Sequence, residues 1–416
     1  MGSSRSDSRR DAGVIGLVGI AHGVSHFFHL MLPALFPWLM IDFSLSFTDV
    51  GLLTTTFFVI SGVGQALAGF VVDRVGARRV LLFGVATLAL SGLVLGLSNS
   101  YAMLMLTAAI AGIGNSIFHP ADFTLLNQQV TPSRLGHAFS VHGLSGNLGW
   151  AAAPLFMAGI ASVAGWHAAG LGAAAVGAAT LALLWLRGGV LTHAVSETVV
   201  GRAAEALPAG PMRQLAFLSS SGVWLSFAFF LVTTMAFGIL QNYAPAILRE
   251  VYGVSLVVAS GGLTAYLLAS GAGMMVGGFL AERADRTVAL SLGFAALMAA
   301  LLASGSMPAF AVWPLMAAMG FGVGSAAPGR DLLVRRTATS RFGKGSFGRV
   351  YGFVYSGLDT GQALSPVLFG PLLDAGRFRQ ALVAVALLQA AGLLTALHVG
   401  SRVRASAVAA VSDSKV

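Results

Sequence analysis

The sequence predicts an all-α integral membrane protein with twelve transmembrane helices in two pseudo-symmetric six-helix bundles. Three observations predict it: an apolar composition, twelve stretches long enough to cross a bilayer, and an internal repeat. Of 416 residues, 56% are hydrophobic and 9% charged, against roughly 25% charged in a soluble domain. Mean hydropathy is +0.83. These values exclude a soluble globular or disordered chain. Cysteine is absent, which removes disulfides, thiolate metal sites and thiol nucleophiles.

About 20 apolar residues cross the roughly 30 Å of hydrocarbon. Stretches that meet this requirement lie near 13–40, 48–71, 79–98, 102–124, 137–162, 167–187, 214–242, 255–280, 288–305, 309–331, 348–371 and 379–400. Residues 1–12 are polar and are expected to form a disordered cytoplasmic tail without a cleavable signal. The longest polar interruption, 188–213, reads as a cytoplasmic linker between bundles at 13–187 and 214–400, and 401–416 reads as a cytoplasmic C-terminal tail.

With both termini cytoplasmic, all of the 24 Lys and Arg except Arg249, Arg377 and Arg379 fall on the inner side. That bias is the positive-inside pattern of a multi-pass protein, here expected in a bacterial inner membrane. The net charge of +9 is therefore a topology signal. The basic residues recur on alternate loops instead of forming one patch, so no nucleic-acid partner is expected. The expected partners are the lipid bilayer, a small-molecule substrate and protons, with the chain acting as a monomer.

The halves repeat each other. GFVVDRVGARR from Gly69 returns from Gly278 as GFLAERADR, which aligns Gly69, Asp73 and Arg74 with Gly278, Glu282 and Arg283. HPADFTLL aligns with APGRDLLV, and GNLGWAAAP with DTGQALSP. The offset runs from 208 (Pro328 less Pro120) to 212 (Gly361 less Gly149, Pro366 less Pro154). Ordered matches that include proline and charged positions imply two related bundles around a cavity.

The pattern G-x-x-x-D-R-x-G-x-R-R at Gly69, Asp73, Arg74, Gly76, Arg78 and Arg79 resembles the loop 2–3 signature of the major facilitator superfamily, with a degenerate copy at Gly278, Glu282 and Arg283. Within that superfamily, HFFHLMLPALFP (26–37), GNSIFHPADF (114–123) and SGNLGWAAAP (145–154) resemble the fosmidomycin-resistance-like branch and related uncharacterised bacterial carriers. The resemblance covers about residues 13–400 and implies the major facilitator fold and secondary transport. Two departures weigh against drug efflux: Leu30 follows His29 where that branch suggests an acidic residue, and GNLGWAAAP only loosely meets the drug-exporter signature. Physically, Asp73 can accept from a helix N-terminus while the arginines reach a facing helix or lipid phosphate, locking one arrangement. Plain interfacial anchoring is the alternative.

Several polar groups fall inside the apolar spans. His22, His26 and His29 share one face of span one, with His22 about 14 Å from Gly13 along the axis. Such a stripe can bind substrate or protons, ligate a metal, or serve helix packing. A metal would want a supporting carboxylate, and span one supplies none before Asp42, so no metal site and no cofactor are assigned. The spacing also matches a histidine box of membrane oxygenases, but the remaining histidines are scattered singly and an enzyme is not expected.

Asp122 lies about 31 Å along span four, at the expected inner rim, with His119 about 27 Å along. Arg330 is its repeat equivalent, so His119, Asp122, Arg330 and Asp331 form a candidate cytoplasmic gate, with Pro120 and Pro328 bending both helices. Snorkelling of Arg330 to headgroups is the competing reading. Asp359, about 17 Å into span eleven, is the candidate coupling carboxylate, beside Tyr355. Gln65, His142, Asn147, Trp150, Gln241, Asn242 and Tyr266 are candidate cavity lining. No phosphate-binding loop of the GxxxxGK[ST] type is present, so an ion or substrate gradient must drive the cycle. The expected function is alternating-access transport of a small organic anion coupled to protons. The alternatives are proton-driven efflux of hydrophobic or cationic drugs and, more remotely, transition-metal transport.

Overall fold

The computed structural model describes residues 2–191, 216–280, 284–342 and 347–413, so most of the expected linker lies outside the described residues. Among the described residues the regular structure is all helical. Its helices are α1 (Gly2–His29), α2 (Phe36–Phe43), α3 (Phe47–Val75), α4 (Ala77–Gly96), α5 (Tyr101–Asn115), α6 (Phe118–Gln129), α7 (Leu135–Ala164) and α8 (Trp166–Arg187). They continue as α9 (Ser221–Tyr252), α10 (Leu256–Phe279), α11 (Ala284–Ser304), α12 (Val312–Phe342), α13 (Phe347–Asp374) and α14 (Phe378–Asp413). Among the described residues, eleven segments are long and apolar enough to cross a membrane; α13 is the remaining long helix. Exposed Leu67, Phe83, Leu186, Phe279 and Leu290 give these helices lipid-facing sides.

Residues expected to form a disordered tail are helical instead: α1 starts at Gly2. The cause is visible at Asp11, whose fully buried carboxylate accepts from the Thr131 hydroxyl and lies 3.7 Å from Arg134. An interior partner converts a polar end into the first turns of a span.

Spans one and four are each interrupted, and proline accounts for where. Pro33 cannot donate to the carbonyl four residues back, that of His29, and α1 ends there, closing with Leu30 N–H to Phe27 C=O at 3.2 Å. Pro120 stands in the same relation to Ser116, and α5 ends at Asn115 before α6 starts at Phe118. Pro120 therefore sits in the first turn of a new helix, whereas its repeat equivalent Pro328 lies inside the continuous α12. The expected symmetric bending of the two spans is replaced by a break in one of them.

By contacts the chain divides into two units. The first holds the described residues of Met1–Glu197, Gln241–Leu267 and Pro366–Gly376; the second holds those of Thr198–Leu240, Leu268–Ser365 and Arg377–Val416. The division does not follow the linker, because the ends of α9 and α13 and the start of α10 join the first unit. There Asp374 accepts from the N–H groups of Phe47 and Thr48 and from the Thr48 hydroxyl. Ser46 and Asp49 form a capping box on the same helix start. Together they take the first three free N–H groups of α3, at the end where its dipole favours a carboxylate. Thr54 donates to Asn242 at 2.6 Å and Thr264 to the Ala151 carbonyl at 3.1 Å.

The internal repeat reappears as matched close crossings within each unit. In the first, α1 packs on α7 so tightly that a Cβ on Gly149 would stand 1.9 Å from the Gly23 carbonyl oxygen. In the second, a Cβ on Gly361 would stand 2.7 Å from the Leu231 carbonyl. Gly64 of α3 meets Ser116, the residue that follows α5, just as Gly273 meets Ser325 across α10 and α12. The second unit fills its remaining space with Val223, Phe229, Phe230, Val288, Leu292 and Val354.

Gly149→Ala forces two backbones apart and is expected to cost at least the about 1–3 kcal/mol of an overpacked core. Thermal unfolding in detergent should show a clear drop for Gly149→Ala and a smaller one for Gly361→Ala. Gly159→Ala, with nothing within 4 Å of its Cβ, should leave the midpoint unchanged.

Candidate functional site: a buried histidine stack

The broken ends of spans one and four meet. The indole N–H of Trp150 can only donate, and it reaches His29 Nδ1 at 3.2 Å. His29 therefore accepts there and carries its proton on Nε2, which donates to Asn115 Oδ1 at 2.8 Å. The Asn115 amide then donates to the Ser61 hydroxyl at 2.8 Å. One directed chain thus joins α7, α1, α5 and α3, with every polarity set by the indole.

From His29 the rings continue as a stack. His26 lies 4.8 Å from His29, 4.2 Å from the Trp150 ring and 4.3 Å from His22. His22 lies face to face with His142 at 3.5 Å. Gly146 makes room for this arrangement, since a Cβ there would stand 2.6 Å from His26 Nδ1. At the far end Asp122, fully buried, lies 3.1 Å from His142 Nε2 and 3.3 Å from His22 Nδ1. His119 is exposed beside Phe123, 5.5 Å from His22.

The stripe expected on span one is thus joined by three residues read separately from the sequence: His142, Trp150 and Asp122. Asp122 was expected at an open rim facing Arg330. In the structure it is enclosed, and its contacts are histidines from its own half. Arg330 instead holds its guanidinium 4.6 Å above the Phe230 ring. Phe230 is the repeat equivalent of His22, 208 residues on, as Arg330 is of Asp122. Each half therefore brings the same two positions together, one as a carboxylate on imidazole and the other as a cation on an aromatic face.

Elsewhere, Asn147 donates to its own helix at Gly143, and Asn242 accepts from Thr54. Gln241 and Tyr266 are buried, and Gln65 is half-buried. Asp359 is half-buried about 18 Å along α13. In the loop motif, Gly76 adopts φ +91° between α3 and α4, a conformation only glycine takes readily. Arg74 and Arg79 are exposed and Arg78 is half-buried beside Gly188. Only the helical backbone is described for Gly69, Asp73, Asp331 and Tyr355, while Glu282 and Arg283 lie outside the described residues; Gly278 is exposed at the end of α10. Sequence reasoning passed over Asn115 and Ser61. The available signal was Asn115 itself, a polar residue immediately before the proline-broken turn.

Long paired helices with a polar seam inside the first half define a multi-pass membrane carrier. Residues 18–366 match the profile of the Major Facilitator Superfamily, and the chain belongs to that family. It is similar to the Fosmidomycin resistance protein of Escherichia coli (strain K12), 28% identical over 68% of each chain. It is also similar to the probable nitrate/nitrite transporter NarK2 of Mycobacterium tuberculosis (strain ATCC 25618 / H37Rv), 28% identical over 80% of this chain and 82% of that one. A third relative is the membrane sensor protein UhpC of Escherichia coli (strain K12), 27% identical over 81% and 80%. Among solved structures, a bacterial homologue of the human lysosomal transporter Spinster, inward-facing and unoccupied, superposes with a TM-score of 0.71. It covers 95% of this chain and 98% of that one at 16% identity, and it shares the fold. The members of this fold named here are not enzymes.

Removing the amide in Asn115→Ala strands the His29 N–H and the Ser61 hydroxyl and is expected to cost about 1–3 kcal/mol. Ser61→Ala removes only the terminal acceptor and should cost less. Unfolding midpoints of the two variants, measured side by side, test that order.

Proposed function

We propose that this protein is a secondary active transporter that moves a small organic anion across the bacterial inner membrane by alternating access, coupled to protons. The observation that carries the reading is the Trp150–His29–Asn115–Ser61 chain with His26 beside it. His26 is half-buried and its Nδ1 has no hydrogen-bond partner. The chain members satisfy one another, so the unpartnered His26 Nδ1 beside them is the group whose cost in hydrocarbon points to a solute. An imidazole N–H next to an indole face suits a small flat anionic group, donating to the charge while the ring covers the apolar part. The name of the nitrate/nitrite relative favours a small anion, in that case an inorganic one.

Coupling is assigned to Asp359. It lies midway along α13, where a carboxylate crosses the bilayer more cheaply bound to a proton than as a charge. Export of hydrophobic or cationic drugs is the second reading; the likeness to the Fosmidomycin resistance protein supports drug export as such.

Purified protein in liposomes with an internal pH-sensitive dye tests the assignment against small carboxylates, nitrate, fosmidomycin and cationic drugs. The expected outcome is proton movement driven by one anion, lost in Asp359→Asn, with a raised KM in His26→Ala. Proton movement driven only by cationic drugs selects the second reading, and flux unchanged by Asp359→Asn removes that residue from coupling. Saturable binding of a solute without flux makes the chain a sensor.

A further inference from the structure

We infer that His22, His119, His142 and Asp122 form a binding site for a divalent transition cation of the zinc class, nested among α1, α6 and α7. One ligand atom from each of the three histidines lies within 4.8 Å of the others. Asp122 Oδ2 is 3.1 Å from His142 Nε2 and 3.3 Å from His22 Nδ1. Ligands at about 2.0–2.2 Å around a tetrahedral ion stand about 3.3–3.6 Å apart. Two edges of such a tetrahedron, from Asp122 to His22 and to His142, are therefore already near their required length, and His119 supplies the fourth corner.

A second observation points into the same space. His22 Nδ1 and Asp122 Oδ1 are enclosed atoms with no hydrogen-bond partner, on side chains only 3% and 0% exposed. Buried polar atoms left in this state cost about 1–3 kcal/mol each. A cation on His22 Nδ1 that also reaches Asp122 Oδ1 would satisfy both atoms. The carboxylate that span one lacks is delivered by α6, because the break after Asn115 lets α6 start afresh and set Asp122 against α1.

The donor set narrows the ion. Three imidazoles and one carboxylate suit borderline cations such as Zn2+ and Co2+. Cu+ would want the sulfur ligands this site lacks, and Mg2+ or Ca2+ an all-oxygen cage. Exposed His119 gives the entry side, while His22, His142 and Asp122 are enclosed. A bound ion would tie α1 to α6 and α7, and this holds whether or not the cargo is an anion.

The test is titration of the purified full-length protein, stripped with chelator, with cobalt(II) and then zinc. The expected result is one cobalt per chain with the intense visible absorption of a tetrahedral centre, displaced by zinc, and an unfolding midpoint that rises with zinc concentration. Asp122→Asn, near-isosteric, should weaken cobalt binding at least tenfold, and His22→Ala with His142→Ala should abolish the band. His137→Ala and His167→Ala should retain it. No tetrahedral cobalt spectrum in the parent protein, or a spectrum that survives the double substitution, overturns the site. Neither readout involves transport, so failure here is separate from failure of the anion assignment.

Discussion

The first half of this protein is organised by what an apolar interior does to a helix that proline has ended. Near His29 and Asn115 a span stops, because Pro33 and Pro120 cannot donate to the carbonyls of His29 and Ser116. In water the freed groups would be solvated; inside a membrane they must find protein partners. The side chains at the two breaks, His29 and Asn115, bond each other, and the Trp150 indole and Ser61 hydroxyl extend the pairing to four helices. The polar seam thus runs through the places where two spans are broken.

That seam also needs the helices to be close. Gly23 and Gly149 bring α1 and α7 to backbone contact, and Gly146 leaves space for the His22 and His26 rings. Without a membrane-phase hydrophobic effect to draw helices together, small residues that permit such contact carry much of the association. Stacked imidazoles and the tight crossing therefore depend on one another: the glycines admit the rings, and the rings fill what the glycines leave open.

The two halves use the same crossings for different chemistry. Gly149 and Gly361 stand in equivalent places, as do Gly64 and Gly273. Yet the position that holds His22 in the first half holds Phe230 in the second, and Asp122 is answered by Arg330. The second half is apolar there, with Phe229, Phe230 and Val354 in one cluster. Backbone geometry was kept across the repeat while the interior side chains diverged. A carrier in which one bundle holds a polar seam and the other an apolar wall need not treat its two halves alike.

The sequence by itself determined the membrane class, the helical spans, the repeat and the histidine stripe, because hydropathy, proline positions and a seven-residue face are local properties. It could not place the breaks' consequences. Asp122 read as a rim charge because rise along one straight helix was the only ruler available, and a span interrupted at Ser116 invalidates that ruler. His142, Trp150 and Asp122 lie on α7 and α6, and only packing could show that they converge on the α1 stripe. The grouping of the α9, α10 and α13 ends with the first unit was equally unreadable. It rests on Asp374 meeting the free N–H groups of α3, a contact more than 300 residues apart in the chain that no local pattern encodes.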